Sequence, residues 1–312
     1  MKNKKIVIAG GSGFIGMQLA ERWSGENEVA ILTRNMKDAT NNSYGRKNDI
    51  KGVRMVQWDG KNLGEWVTTL EGCDLLINLA GKSVNCRYNA ANKAEIVSSR
   101  VDATGVLGKA VKQLKAPPEL WINGASTTIY RHAEDRPQDE MNGEIENDFS
   151  VQVCKEWEVA LNKIDLPQTR KVVMRMAIVL GKGGVLVPYS WLARLGLGGR
   201  QGNGRQMFSW VHIDDLCTII EWLSDHKDAT GTYNAAAPGP VPNHVFMRLM
   251  RGIFKMPVGF PAPKWLLEIA AFIHGTETEL LLKSRWVLPT RLLKEGFIFK
   301  YTDMEMALQG LF

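Results

Sequence analysis

The stretch Gly10-Gly11-Ser12-Gly13-Phe14-Ile15-Gly16 constrains this chain more than any other. It follows a short apolar, β-branched run, Lys4-Lys5-Ile6-Val7-Ile8-Ala9. It precedes a helical pattern from Met17 to Trp23 that stops at Gly25, and then a second strand-like run, Glu28 to Thr33. Strand, glycine turn, helix, strand is the context that a dinucleotide-binding turn requires. Gly10 lets the chain leave the strand in a conformation other residues resist. Gly13, having no side chain, lets a pyrophosphate approach the backbone, and Gly16 lets the helix lie close to the sheet. Free N–H groups at the helix start then face the phosphates. Gly10, Gly11, Ser12, Gly13, Phe14, Ile15 and Gly16 are therefore the expected phosphate site.

The end of the second strand selects the dinucleotide. An Asp or Glu there would bind the ribose hydroxyls of NAD, but this chain has Thr33-Arg34-Asn35. A guanidinium suits a 2′-phosphate and stacks on adenine, so Arg34 favours NADP(H) over NAD(H). The competing reading is an ordinary solvated arginine.

The 312 residues, 45% hydrophobic and 23% charged, describe a globular chain with ample core. Cys73, Cys86, Cys154 and Cys217 are widely spaced, which suits a reducing, cytoplasmic setting and argues against structural zinc. The five histidines lack His-Glu-x-x-His spacing, so no metal is expected. Met1 to Ile8 superficially resembles a signal peptide, but the glycines interrupt it too early and a strand explains it better. No apolar run approaches the ~18 residues of a membrane span, and no membrane partner is expected. The net charge of +6 raises the question of nucleic acid. The basic residues read as scattered among acids, so RNA binding is kept only as a minor alternative; an oligomer is left open.

Beyond the second strand, Asn35 to Gly52 is a polar loop beside the adenine end, and Val53 to Trp58 is a third strand, closed by Asp59-Gly60. Asp59 is placed to meet the adenine amine or to cap the next helix. Leu63 to Leu70 is that short helix. Asp74 to Gly81 is a buried strand whose small end, Leu79-Ala80-Gly81, admits a cofactor ribose. Asn89 to Lys115 is a long helix, Leu120 to Ala125 a fifth strand, Asp148 the cap of a helix through about Lys163, and Lys171 to Leu180 a sixth strand. Repeated βα units give an α/β, Rossmann-type doubly wound parallel sheet over residues 1–180. Residues 181–312 read mainly as a small C-terminal substrate lobe, with some elements returning to the sheet. There Met207 to Val211 and Thr232 to Ala236 are strands, and His212 opens a helix.

The chain resembles an atypical extended short-chain dehydrogenase/reductase of the epimerase-family, sugar-nucleotide-epimerase-like subgroup. The matching residues are the glycine turn, Asn78 to Gly81, Ser99-Arg100, Trp157-Glu158, Arg175 with Val179-Leu180-Gly181, Leu195 to Gly199, Ser209 to Asp215, and a tail from Leu280 through Phe297. The resemblance implies a dinucleotide cofactor and a small-molecule substrate. It also implies a catalytic Ser, with Tyr and Lys spaced as Tyr-x-x-x-Lys, the Tyr acting as acid/base. Ser126 fits the Ser place and Lys155 the Lys place, the latter also holding the cofactor ribose, but the Tyr place is Val151. Tyr130, Cys154 and His212 are the candidates to replace it, each weighed against a packing role, and Arg87 and Arg100 could hold an anion or pair with acids. The function expected is an NADP(H)-binding oxidoreductase or epimerase-like enzyme. The alternatives are a cofactor-binding sensor without dehydrogenase chemistry and an RNA-binding protein on this fold.

Overall fold

A computed structural model describes residues 1–36, 50–273 and 275–312. Most of the polar stretch expected beside the adenine end, residues 37–49, lies outside these. The first half runs β1 (Lys5–Ala9), α1 (Phe14–Trp23), β2 (Glu28–Thr33), β3 (Val53–Gln57), β4 (Leu75–Asn78), α2 (Ala90–Val111), β5 (Leu120–Ser126), α3 (Phe149–Asn162) and β6 (Arg170–Met176). The second half adds β7 (Ile178–Leu180), α4 (Leu186–Arg194), β8 (Met207–Phe208), β9 (Trp210–His212), α5 (Ile213–Asp225) and β10 (Gly231–Ala235). It closes with β11 (Val241–Pro242), α6 (Asn243–Ile253), α7 (Lys264–Ile273), α8 (Glu279–Leu282), α9 (Thr290–Lys294) and α10 (Met304–Gln309).

Seven strands form one parallel sheet in the order β10-β6-β5-β4-β1-β2-β3. The order reverses between β1 and β4, and a crevice opens there at the carboxyl ends of the strands. Ala9 pairs with Leu32 on one side and Asn78 on the other, so three strands end level at that crevice. Both faces of the sheet are covered. Ile6 and Ile8 face a layer built from α1 and α5, with Leu19, Trp23, Leu216 and Ile220. Val7 and Ala9 face the layer of α2 and α3, with Val106, Leu107 and Leu161. Alternation with period two, apolar on both sides, is what a doubly covered parallel strand requires.

Two expected strands are broken. Lys171 to Leu180 divides at Ala177: β6 stays in the main sheet, while β7 pairs with β9 in a separate two-stranded sheet. Met207 to Val211 divides at Ser209, with β8 pairing to β11. Leu63 to Leu70 forms a 3-10 turn over Glu65–Leu70. The lobe has its own core, where Phe208 and Phe246 stack at 4.2 Å among Leu186, Met250 and Leu308. β10 joins the main sheet and α5 packs against it.

The glycine turn is held by backbone-to-backbone proximity. A methyl group on Gly16 would lie 2.4 Å from the Cα and carbonyl oxygen of Gly11. Gly16→Ala is therefore expected to displace α1 and to destabilise the fold by ~1–3 kcal/mol, the usual cost of overpacking, read as a lower midpoint in thermal unfolding.

Candidate functional site

The crevice is a cavity of about 330 Å³. Its floor is the glycine turn, where Gly10, Ser12 and Gly13 line it. Gly10 has φ +71°, and a side chain there would meet the Cα of Ala80 at 2.6 Å. Gly13 differs: a Cβ would find only one atom within 4 Å, so its bareness serves the cavity and not the packing. No side chain caps α1, and its first turn holds no acid. Its N–H groups and the positive end of its dipole are thus presented to an anion.

The second wall is the turn Leu79-Ala80-Gly81. Buried Asn78 fixes it, donating to Asn123 Oδ1 (2.7 Å) and Thr104 Oγ1 (3.1 Å) and accepting from the N–H of Ala80. Arg100 packs under Gly81 and donates to the carbonyls of Lys82 (3.1 Å) and Ile96 (2.8 Å). It therefore props this turn, and among the described residues no acid is paired with it.

At the adenine end, Arg34 lines the cavity, and so does Lys61, a second cation with no signal in the sequence. Asp59 lines it too, but its carboxylate caps its own turn, accepting from the N–H groups of Lys61 and Asn62 and from the Asn62 amide. Those bonds hold its pKa down to about 2.

The expected catalytic residues separate into two groups. Ser126 stands at the end of β5, its hydroxyl 3.0 Å from that of Thr128, which accepts a hydrogen bond from Arg285 Nε at 3.1 Å. Lys155 lies on α3 and donates to Asn147 Oδ1 at 2.7 Å. Tyr130 lies in a different environment. It is 2% exposed, and its hydroxyl accepts from Arg175 (2.8 Å) and donates to Asn234 (3.0 Å). Arg175 is in turn paired with Glu158 at 2.7 Å. Burial raises the Tyr130 pKa. Its burial and these two hydrogen bonds are the surroundings of a packing side chain.

Val151 does not face a substrate either. It is 0% exposed, sealed among Tyr130, Cys154 and Val287. The covering segment comes from the far end of the chain: Lys283 pairs with Asp148, the N-cap of α3, at 2.6 Å, and Arg285 reaches Thr128. Nothing local in the sequence marks Arg285 as a site residue. Its pKa is lowered by burial.

The other candidates are also settled by their surroundings. Cys154 is buried, which pushes its thiol up to about 12. His212 caps α5, its Nδ1 accepting from the N–H of Asp214, and stacks on Tyr301; burial lowers its pKa to about 4. Arg87 donates to the carbonyl of Thr276 and to Glu277. Among the described residues no group of three or more His, Cys, Asp or Glu side chains could hold a metal.

Comparison with known proteins is consistent with this geometry. Residues 6–236 match the model of the NAD dependent epimerase/dehydratase family. The chain belongs to that family. Residues 262–311 match a domain of unknown function, DUF1731. Epimerase family protein YfhF of Bacillus subtilis is 30% identical, over 98% of this chain and 97% of its own. The mouse epimerase family protein SDR39U1 is 29% identical over 98% of this chain and 99% of its own. A crystal structure of human SDR39U1 (isoform 2) with NADPH superposes with a TM-score of 0.84, at 27% identity and 98% coverage of each chain. The chain thus has an NAD(P)-binding, Rossmann-type fold.

Two outcomes are expected. Gly13→Val should keep the wild-type melting temperature but lose dinucleotide binding in a fluorescence titration, because the added group meets open space in the protein and occupies the phosphate path. Val151→Tyr should lower stability by ~1–3 kcal/mol or more through overpacking and gain no carbonyl reduction in a side-by-side NADPH oxidation assay.

Proposed function

We propose that this protein binds NADP(H) in preference to NAD(H) and acts as an oxidoreductase or epimerase-like enzyme on a small polar metabolite. The observation that carries the preference is the pair of cations, Arg34 and Lys61, lining the adenine end of the cavity where an acid would select NAD. The human relative with NADPH supports the same choice. The residues fit the group: Gly10, Gly11, Ser12, Gly13, Phe14, Ile15 and Gly16 would hold the pyrophosphate. Arg34 and Lys61 would hold the 2′-phosphate, Leu79, Ala80 and Gly81 would border a ribose, and Lys155 would hold the other. When bound, the nicotinamide supplies hydride transfer.

On the substrate side, Ser126 and Thr128 offer two hydroxyls and Arg285 a fixed guanidinium. That set suits a polar, anionic substrate: Nε of Arg285 is bonded to Thr128 and Nη1 to the carbonyls of Leu280 and Lys283, and Nη2 would offer the charge-assisted donors. The second reading, a dinucleotide-binding sensor, is favoured by the burial of Val151 and the engaged hydroxyl of Tyr130. Turnover of any polar alcohol or carbonyl that Arg285→Leu abolishes would decide for the enzyme.

The cofactor reading is tested by titration. A charge-assisted phosphate contact contributes about 1.5–3 kcal/mol, which is tenfold or more in Kd. Wild type should bind NADPH more tightly than NADH, and Arg34→Asp should lose that preference. Equal affinities in the wild type would refute it.

A further inference from the structure

The positive charge of this chain is not spread evenly. Residues 181–213 and 229–267 together hold eight Lys and Arg, four in each, and no Asp or Glu. The remaining 31 Lys and Arg face all 33 Asp and Glu, so the rest of the molecule is slightly acidic. The reading of scattered charge fails in these two stretches alone; Asp214 to Asp228 separate them, and acids resume at Glu268.

An exposed apolar belt begins in these stretches and runs past them to Ile273, with Glu268 on the same helix. α7 packs inward through Leu267 and Ala271. Its outward face is Trp265, Leu266, Ile269, Phe272 and Ile273, a complete i, i+1, i+4, i+7, i+8 stripe. Trp265 is 62% exposed, and Phe272 and Ile273 are 73% exposed. An amphipathic helix ordinarily turns such a stripe to the core. The belt continues away from α7. The chain at Phe260 is hydrogen-bonded to Gly196 and Gly199, and Ala262 to Arg200 and Gly202, which brings exposed Leu195, Leu197 and Phe260 alongside. Next to these, a cleft of about 200 Å³ is lined by Leu186, Val187 and Trp191 together with Lys182 and Arg194. Exposed Arg194, Arg200, Lys255 and Lys264 border the apolar surface; the single acid on α7, Glu268, is paired with Lys264.

We infer that this face of the lobe docks on an anionic lipid bilayer, with α7 lying in the plane of the headgroups. Aromatic and aliphatic side chains on one face with cations beside them are the chemistry of an interfacial helix. A second copy of the chain is a poorer occupant: an isologous contact would set Arg194, Arg200, Lys255 and Lys264 against their own copies, with Glu268 the single acid on α7. RNA would satisfy the cations and stack on Trp265 and Phe272, but it would leave the aliphatic Leu266, Ile269 and Ile273 in water. No described helix is long and apolar enough to cross a membrane. The absence of a long apolar run, from which no membrane partner was expected, does not bear on docking at the surface.

The test is co-sedimentation of the full chain with vesicles of phosphatidylcholine alone and of phosphatidylcholine mixed with phosphatidylglycerol. Each cation near an anionic surface is worth roughly fivefold in partition. The wild type should bind the mixed vesicles at least about tenfold better than the neutral ones, and high salt should weaken that binding. Phe272→Ser with Ile273→Ser should lose about tenfold or more, and Arg194→Ala with Arg200→Ala a similar factor. Unchanged melting and dinucleotide binding in both variants would establish that they fold. No binding to the mixed vesicles, equal binding to both compositions, or binding indifferent to the α7 variant would overturn the inference. So would a dimer in sedimentation velocity that the α7 variant dissolves. Binding of a single-stranded RNA that the cation variant loses and the α7 variant keeps, without vesicle binding, would also overturn it.

Discussion

Everything at the crevice depends on two places where backbone meets backbone with no side chain between. Gly16 sits against Gly11, and Gly10 against Ala80. The first contact brings the start of α1 down onto the turn, so that its N–H groups point into the crevice. The second brings the end of β4 close to the end of β1, which sets the width of the cavity. Gly10 also needs φ +71°, a backbone region other residues enter at a cost. The buried Asn78–Asn123–Thr104 network then holds β4 and the Ala80 turn at that distance. Satisfied polar groups of this kind fix a geometry that apolar packing alone would leave looser.

The other half of the site is made by a distant return of the chain. Ser209 donates its hydroxyl to the carbonyl of Arg285 at 2.6 Å and accepts the N–H of Val287 at 2.8 Å. Gln138 donates its N–H to the carbonyl of Trp286, and its own carbonyl accepts the N–H of Leu288. One hydroxyl and one backbone unit thus pin the segment on both sides. Its course lays Val287 over Val151 and carries Arg285 to Thr128. Val151 is core under this segment, and a cation stands beside the Thr128 hydroxyl.

The parts of the fold that were legible are those where local pattern and tertiary role agree. The glycine turn, the two-faced strands and the Asp148 cap each carry their signal within a few residues. Breaks at Ala177 and Ser209 were not legible, because β-branched and aromatic residues run through both, and only the partners of β7 and β9 show where one sheet ends. Tyr130 shows the same limit of local pattern. Its spacing from Ser126 is visible in the sequence, whereas Arg175 and Asn234, which engage its hydroxyl, lie 45 and 104 residues away. Lys61 and Arg285 were invisible as site residues because loop and tail place them, and neither has a periodic pattern.

The chemistry open to the chain without the phenol is set by the group that replaces it. A positioned acid/base contributes roughly 10²–10⁴ in rate. Burial lowers the pKa of Arg285, but a guanidinium starts so high that it remains charged and cannot serve as the acid. It can stabilise charge that develops on a substrate oxygen, and removing one such preorganised donor costs about 10²–10³ in other enzymes. The two contributions are of similar size, so, on the proposed reading as an enzyme, the absence of the phenol does not by itself exclude turnover. It changes the kind of substrate that can react. A group that only stabilises negative charge serves a substrate whose own acid, or a water, carries the proton. On that reading the burial of Val151 and the arrival of Arg285 are one adaptation, made by a single return of the chain.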